Sequence, residues 1–445
     1  MMDPMKLPLL TFIFLATLTF SRAATPIILI VADDLGYGDI GCYGSATPTP
    51  HIDSLARDGV RFTRFYANAP ECSPTRTALM TGRYQQRVGG LECAIGTGNV
   101  GRYDDAIRLR ESHDLGLPPS ENRLVSGMKS AGYMTVVSGK WHLGYEEKFY
   151  PLKHGFDRSF GPNAGGVDYF HHTEWDGVPR LLENDQPIQR DGYMTDLITD
   201  FAVNAIRDLA EKPLFLYVPY TAPHTPIQGP DDFKPEPILK ATWDEGTKEG
   251  YAAMIRSLDD GVGRILETLE TAGLAKDALV IFMSDNGGTP LADNGPYRGT
   301  KSTVYEGGIR VPCLVRWPGH LKSGTTTDQA TLTMDFTRSM LRIAGAAPNP
   351  SLDGIDIVAH LEKQEPVLPR TLFWRYRRGD TTLSTVADGD SKLVVTQDGD
   401  TTTRELFNLS SDPAESTDLS TTKPAEVQRL TQVLSDWSAE VRASR

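Results

Sequence analysis

Cys72-Ser73-Pro74-Thr75-Arg76, followed by Leu79-Met80-Thr81-Gly82-Arg83, brings a thiol, a proline and two arginines into one short run. Pro74 suits the first turn of a helix, where its missing N–H is not needed, and Gly82 suits the residue that closes one. Cys72 then stands at a helix N-terminus, where free N–H groups and the helix dipole favour an anion. Taken alone, the same pattern describes a capped helix with a buried thiol.

Four further residues offer hard oxygen donors: Asp33 and Asp34 in one cluster, Asp285 and Asn286 in another. Such a set suits Ca²⁺ or Mg²⁺ rather than a transition metal, because no imidazole or thiolate belongs to it. Either cluster alone reads better as a turn, since Asp, Asn and Gly favour turns for local reasons, but the two together, each after an apolar run, reverse that preference. Lys140 and His142 flank Trp141, so an extended backbone sends both side chains the same way. His224 lies between Pro223 and Pro226, which restrict its backbone, and Lys301 follows Tyr297-Arg298-Gly299-Thr300.

The elements that must position these groups are legible as apolar runs. Ile27 to Ala32 leads into Asp33-Asp34, and Met134 to Val137 into Ser138-Gly139-Lys140-Trp141-His142. Leu214 to Val218 leads into the segment that carries His224, and Leu279 to Met283 into Ser284-Asp285-Asn286. Short continuous apolar runs suit strands buried on both faces of a parallel sheet. Met254, Ile255, Leu258, Val262, Ile265, Leu266 and Leu269 keep a helical period between two of them. Ligands of open α/β sheets gather at the carboxyl ends of the strands, where every one of these polar clusters emerges. After about residue 365 the pattern becomes short alternating strands and a last amphipathic helix marked by Val427, Leu430, Val433, Leu434, Trp437 and Val441. The expected organisation is residues 1–24 as a signal peptide, 25–365 as a large α/β domain, and 366–445 as a smaller α+β unit with an antiparallel sheet.

Taken together, the motifs resemble type I sulfatases in order and spacing, from about Pro26 to the final helix. They are Asp33-Asp34, the Cys72 motif, Gly139-Lys140-Trp141-His142, Pro223-His224-Thr225-Pro226, Asp285-Asn286-Gly287 and Arg298-Gly299-Thr300-Lys301. Glu306-Gly307-Gly308-Ile309-Arg310-Val311-Pro312 and Glu405-Leu406-Phe407-Asn408-Leu409 with Asp412-Pro413 extend the match. The resemblance implies an alkaline-phosphatase-like fold with a mostly parallel sheet, one Ca²⁺, and Cys72 converted by a maturation enzyme to Cα-formylglycine. It further implies that Asp33, Asp34, Asp285, Asn286 and position 72 meet the metal. Arg76 would support the nucleophile at position 72, Lys140 and Lys301 would neutralise the sulfate, His224 would protonate the leaving alcohol, and His142 would take the proton that releases sulfate. The implied substrate is a sulfated polysaccharide or glycosaminoglycan fragment. The alternatives are a phosphomonoester or phosphonate hydrolase of the same superfamily, and a catalytically silent carbohydrate-binding homologue.

The chain has 445 residues, 39% of them hydrophobic, and a net charge of −13. Such a balance lacks the basic footprint of a nucleic-acid binder, and it obliges an anion-binding enzyme to build a local positive pocket. Lys6, an apolar run from Leu7 to Phe20 and Ser21-Arg22-Ala23 read as a cleavable signal peptide, so the expected location is periplasmic or secreted, with no membrane association after cleavage. If Cys72 is converted, Cys42, Cys93 and Cys313 allow at most one disulfide. The long loops 91–122, 161–190 and 222–250 are candidate cleft walls. His113, Asp168, His171, His172, Glu174 and Trp175 are the loop residues expected to touch sugar.

Overall fold

The computed structural model describes residues 24–96 and 103–442. The signal segment therefore lies, but for Ala24, outside the described residues. In chain order the strands of the main body are β1 (Ile27–Ala32), β2 (Val60–Phe62), β3 (Phe65–Tyr66), β4 (Met134–Ser138), β5 (Arg158–Pro162) and β6 (Leu181–Glu183). They continue with β7 (Gln186–Pro187), β8 (Leu214–Pro219), β9 (Leu279–Ser284), β10 (Cys313–Arg316), β11 (Thr325–Thr327) and β12 (Thr331–Leu332). Ten of them form one sheet in the order β11-β2-β10-β9-β1-β8-β4-β5-β6-β7, while β3 and β12 pair separately. The centre of the large sheet is parallel: β1 pairs with both β8 and β9, and β4 with β8 and β5. Antiparallel strands complete it, with β10 against β9 and β6 against β5.

The four apolar runs are thus the adjacent strands β9, β1, β8 and β4, and the fold is the expected mixed α/β one. Burial on both faces explains their unbroken hydrophobicity. Ile27, Leu29 and Val31 enter one core, whereas Ile28, Ile30 and Ala32 enter the other. The Met194–Asp208 and Lys248–Thr271 helices cover the second face. The Cys72–Thr81 and Thr333–Ile343 helices cover the first.

Residues beyond these form a four-stranded antiparallel sheet of β13 (Thr371–Arg378), β14 (Thr381–Asp388), β15 (Ser391–Asp398) and β16 (Thr401–Asn408), with strands joined by tight turns. The Pro424–Glu440 helix buries Leu430, Leu434 and Trp437. Two expectations need amending, and the first is the 161–190 stretch, read as loop, which holds β6 and β7. The second is the 91–122 stretch, read as loop, which holds a helix over Asp104–Glu111. That helix buries only Ala106 and Leu109, so its charged sequence carries too narrow an apolar stripe to show a period. Among the described residues, no helix is long and apolar enough to cross a membrane.

Candidate active site

The Cys72–Thr81 helix opens at Cys72 and closes on Gly82, whose φ of 66° is the left-handed cap and whose N–H donates to the Ala78 carbonyl. Pro74 falls in the first turn, and every residue of the helix is buried. Cys72 therefore sits at the helix N-terminus, beside the carboxyl ends of the central strands. Its Sγ is 3.3 Å from an Asp33 oxygen and 3.4 Å from Lys140 Nζ. In this position Sγ stands in for the oxygens that an oxidised, hydrated residue 72 would present. Burial, with Asp33 beside it, pushes the thiol well above its ordinary pKa, so as a cysteine the group is a neutral thiol.

Beneath Cys72 lies a dense charge network. Arg76, with only 1% of its side chain exposed, donates to Asp285 at 3.0 and 2.8 Å and to the Lys140 carbonyl at 2.8 Å. Lys140 Nζ also bonds Asp33, and both side chains are fully buried. Lys301 pairs with Asp34 at 2.8 Å, and Asn286 Nδ2 donates to Asp34 at 2.7 Å. Burial pushes Asp285 up to about 6, and the neighbouring Asp33 adds to it against Arg76. Asp34 moves the other way: burial raises it, but Lys301, His224 and Lys140 together hold it below the usual carboxylate range. Ligand atoms of Asp33, Asp34, Cys72 and His224 all lie within 4.8 Å of one another. Asn286 Oδ1 is buried without a hydrogen-bond partner. A buried amide oxygen left unpaired beside three carboxylates is the donor chemistry of a hard divalent cation, so the residues present fit Ca²⁺.

The two histidines are held differently. His142 does not continue an extended strand, as the sequence suggests. Its φ of 53° is left-handed, and Nε2 lies 2.5 Å from the Ile95 carbonyl. A carbonyl only accepts, so Nε2 carries the hydrogen and Nδ1, which is buried without a partner, is bare. Burial and then Lys140 hold this imidazole far below its ordinary pKa. His224 places Nδ1 2.7 Å from the Thr225 carbonyl and Nε2 3.6 Å from Asp34. Burial, then Lys301, pulls it down to about 3. Gly165 and Gly166 let both rings in. A Cβ on Gly165 would stand 2.7 Å from His142 Nε2, and one on Gly166 3.0 Å from His224 Nδ1. Neither glycine is evident from the sequence as part of the site.

Asp34, Cys72, His142, His224 and Lys301 line a cavity of about 650 Å³, whose outer wall includes Glu174, Trp175, Trp243 and Arg378. Arg76, Lys140, Asp33, Asp285 and Asn286 lie below it, at 1% exposure or less. Of the loop residues expected to touch sugar, Glu174 and Trp175 reach the cavity. His113 lines a side chamber of about 330 Å³ that shares Ile95, Gly96 and Tyr145 with it. Asp168, His171 and His172 are spent on backbone groups of their own and neighbouring loops. Asp168 accepts from the backbone of Phe170, His171 and Ile238. His171 Nε2 meets the Pro235 carbonyl, and His172 Nε2 that of Gly192. Glu71, Ser302 and Arg378 are cavity residues that the sequence reading omits. Glu71 is signalled only by standing before Cys72. All four cysteines are free thiols.

A central parallel sheet, a reactive position at a helix N-terminus and a floor of paired carboxylates and cations define an ester hydrolase for anionic groups. The Sulfatase family model matches residues 26–346, and the model described as N-sulphoglucosamine sulphohydrolase, C-terminal, matches residues 299–442. The chain is 34% identical to N-acetylgalactosamine-6-sulfatase of Homo sapiens over 382 residues, which span 80% of this chain and 69% of that one. The crystal structure of Ps i-CgsB superposes with a TM-score of 0.82 at 30% identity, covering 93% of each chain. The structure of Ps i-CgsB in complex with k-i-k-neocarrahexaose gives 0.80 at 29% identity, again over 93% of each chain. The chain belongs to the sulfatase family, as a type I sulfatase of the alkaline phosphatase superfamily, and is a sulfuric ester hydrolase.

Proposed function

We propose that this sulfatase removes sulfate from sulfated carbohydrate, of polysaccharide or glycosaminoglycan origin, through a formylglycine at position 72 and one Ca²⁺. The observation that carries the reading is the Cys72 side chain, held at a helix N-terminus within 3.4 Å of both an aspartate and a lysine. Asp33, Asp34, Asp285 and Asn286 would hold the ion, which supplies positive charge against the nucleophile and a sulfate oxygen. Conversion of Cys72 by a formylglycine-generating enzyme supplies an oxygen nucleophile that a thiol buried among carboxylates does not.

The remaining roles fall to this chain's own side chains. Arg76 fixes the Asp285 carboxylate and the Lys140 carbonyl, so the floor does not reorganise as charge develops. Lys140 and Lys301 meet sulfate oxygens. Lys301 stays protonated, because Asp34, with Asp33 behind it, outweighs the burial that disfavours its charge. The Nδ1–H of His224 is committed to Thr225 and burial leaves Nε2 bare, so Nε2 would first take a proton from the Lys301 ammonium and then pass it to the leaving oxygen. The bare Nδ1 of His142 suits a base that accepts the proton freed when sulfate departs.

The cavity volume is that of a small-ligand site, and Trp175 and Trp243 place aromatic side chains in its lining. The likeness to N-acetylgalactosamine-6-sulfatase and to the neocarrahexaose-bound Ps i-CgsB supports this substrate class. Within the chain, the C-terminal unit from about residue 366 would act as one wall of the cleft. The N-terminal segment would direct export to the periplasm or medium. The test is sulfate release from a panel of sulfated oligosaccharides, beside 4-nitrophenyl sulfate and 4-nitrophenyl phosphate, before and after chelation. Sulfate esters are expected to be hydrolysed far faster than the phosphate, with activity lost on chelation and restored by Ca²⁺. A preference for the phosphate would refute the reading in favour of a phosphoester hydrolase.

A further inference from the structure

The cavity wall nearest the C-terminal sheet carries charge that sulfate hydrolysis does not use. β13 ends in Arg375-Tyr376-Arg377-Arg378, and strand alternation shares these side chains between two carboxylates. Arg375 grips Glu92 at 2.6 and 2.9 Å, and Arg377 lies 3.8 Å from the same group. On the opposite face Tyr376 and Arg378 both meet Glu71, at 2.9 and 3.5 Å. Glu71 directly precedes Cys72, and both Glu71 and Arg378 line the cavity.

The Glu71 carboxylate is well served without the arginine. Ala94 N–H donates at 2.5 Å, Ser302 Oγ at 2.7 Å and the Tyr376 hydroxyl at 2.9 Å, so Arg378 makes the longest of the four contacts. A 3.5 Å contact, at the edge of hydrogen-bonding range, does not immobilise a planar fork of five N–H donors. The Arg378 side chain is also 38% exposed. Among the described residues, Lys301 and Arg378 are the two Lys or Arg side chains in the lining, and Lys301 is engaged by Asp34. A guanidinium in that setting matches a carboxylate or sulfate in bidentate fashion.

We propose that Arg378 anchors a second anionic group on the substrate, a carboxylate or sulfate on the reacting sugar or on its neighbour. The inference rests on the sulfatase reading of the cavity floor. Arg378, its partner Glu71 and Cys72 all line one cavity, so one substrate can meet position 72 and Arg378 together. Arg378 is then a specificity residue: it selects among sulfated sugars and leaves the chemistry at position 72 alone.

The test compares the wild-type protein, its formylglycine verified by mass, with Arg378→Gln and Arg378→Lys. The substrates are 4-nitrophenyl sulfate, N-acetylgalactosamine 6-sulfate and N-acetylgalactosamine 4,6-disulfate. The wild type should favour the disulfated sugar over the singly sulfated one. Arg378→Gln should lose about 10- to 100-fold in kcat/KM on the disulfate, mainly through KM, and stay within about threefold on the other two. Arg378→Lys should recover part of the loss. Equal losses on all substrates, no loss on any, or a wild type without preference for the second sulfate would overturn the inference, as would activity on the aryl sulfate alone. A wild type inactive on all three would strike the sulfatase reading itself.

Discussion

Lys392→Met tests how the C-terminal sheet is locked to the body that carries Lys301. Lys392, on β15, is fully buried, with its ammonium 2.9 Å from Glu306 and 2.8 Å from Glu415. Glu306 also accepts from the Tyr66 hydroxyl at 3.0 Å and from Arg310 at 3.2 Å, while Glu415 accepts the Glu306 backbone N–H at 2.6 Å. Methionine keeps the apolar stem and removes the charge, leaving two buried carboxylates facing one another. Breaking a buried ion pair in this way costs about 3–5 kcal/mol. For unfolding of all 445 residues, at about 2.1 cal/mol/K per residue, that is about 3–5 °C in Tm. The loss should also depend on pH. Burial raises Glu306, yet Lys392 and Arg310 outweigh it and hold the carboxyl below its usual range, whereas for Glu415 burial wins. Without the lysine both carboxyls rise above their unfolded values of about 4.3. A raised folded pKa gives stability that is present below the unfolded pKa and lost as pH rises, so the gap to wild type should widen from pH 5 to pH 8. Thermal melts at both pH values, with Glu415→Gln added to recover part of the loss, make the measurement. A Tm change below about 1 °C at pH 8, or the same change at both pH values, would refute the reasoning.

Three further outcomes are expected. Cys72→Ser should melt like the wild type but lose multiple turnover, because a single hydroxyl lacks the second oxygen of a hydrated aldehyde. The matured wild-type peptide should be about 18 Da lighter than its cysteine form, and steady turnover by the serine variant would count against the mechanism. His154 is buried against Trp141, and burial pulls its pKa down to about 3. The unfolded chain then binds a proton that the folded one refuses, so stability should be lost as pH falls from about 6.5 toward 3, by up to about 1.4 kcal/mol per unit. His154→Gln should flatten that loss in urea titrations between pH 6.5 and 4, and an unchanged slope would assign it to other groups.

The central strands were legible because burial on both faces leaves an unbroken apolar run, and each run stops where its polar cluster must face the cavity. The donors that meet in the cavity were therefore readable as strand ends before any contact was known. The outer wall was not. Arg378 joins Glu71 across 307 positions of sequence, from a separate sheet, and no local period encodes that meeting. Asp168, His171 and His172 have the composition of a sugar site. A long loop must nevertheless satisfy its own backbone donors and acceptors, and these side chains do so. Residue type alone does not separate the two uses. The Gly165–Gly166 pair shows the reverse case, where the site depends on the absence of side chains.

The same accounting explains how a chain of net charge −13 presents a site to an anion. At about 0.1 M salt the overall repulsion is screened over about 10 Å, so the approach is governed by what lies in the cavity. There, Arg76, Lys140 and Lys301 are balanced by Asp33, Asp34 and Asp285, and each cation is held by a carboxylate. Each lysine ammonium has three N–H donors, so it can hold its aspartate and still reach a sulfate oxygen. A divalent cation taken up by Asp33, Asp34, Asp285 and the unpaired oxygen of Asn286 would satisfy the carboxylates and leave both ammonium groups to the substrate. Under the proposed function, such a cation would tip toward the positive a floor whose charges otherwise cancel.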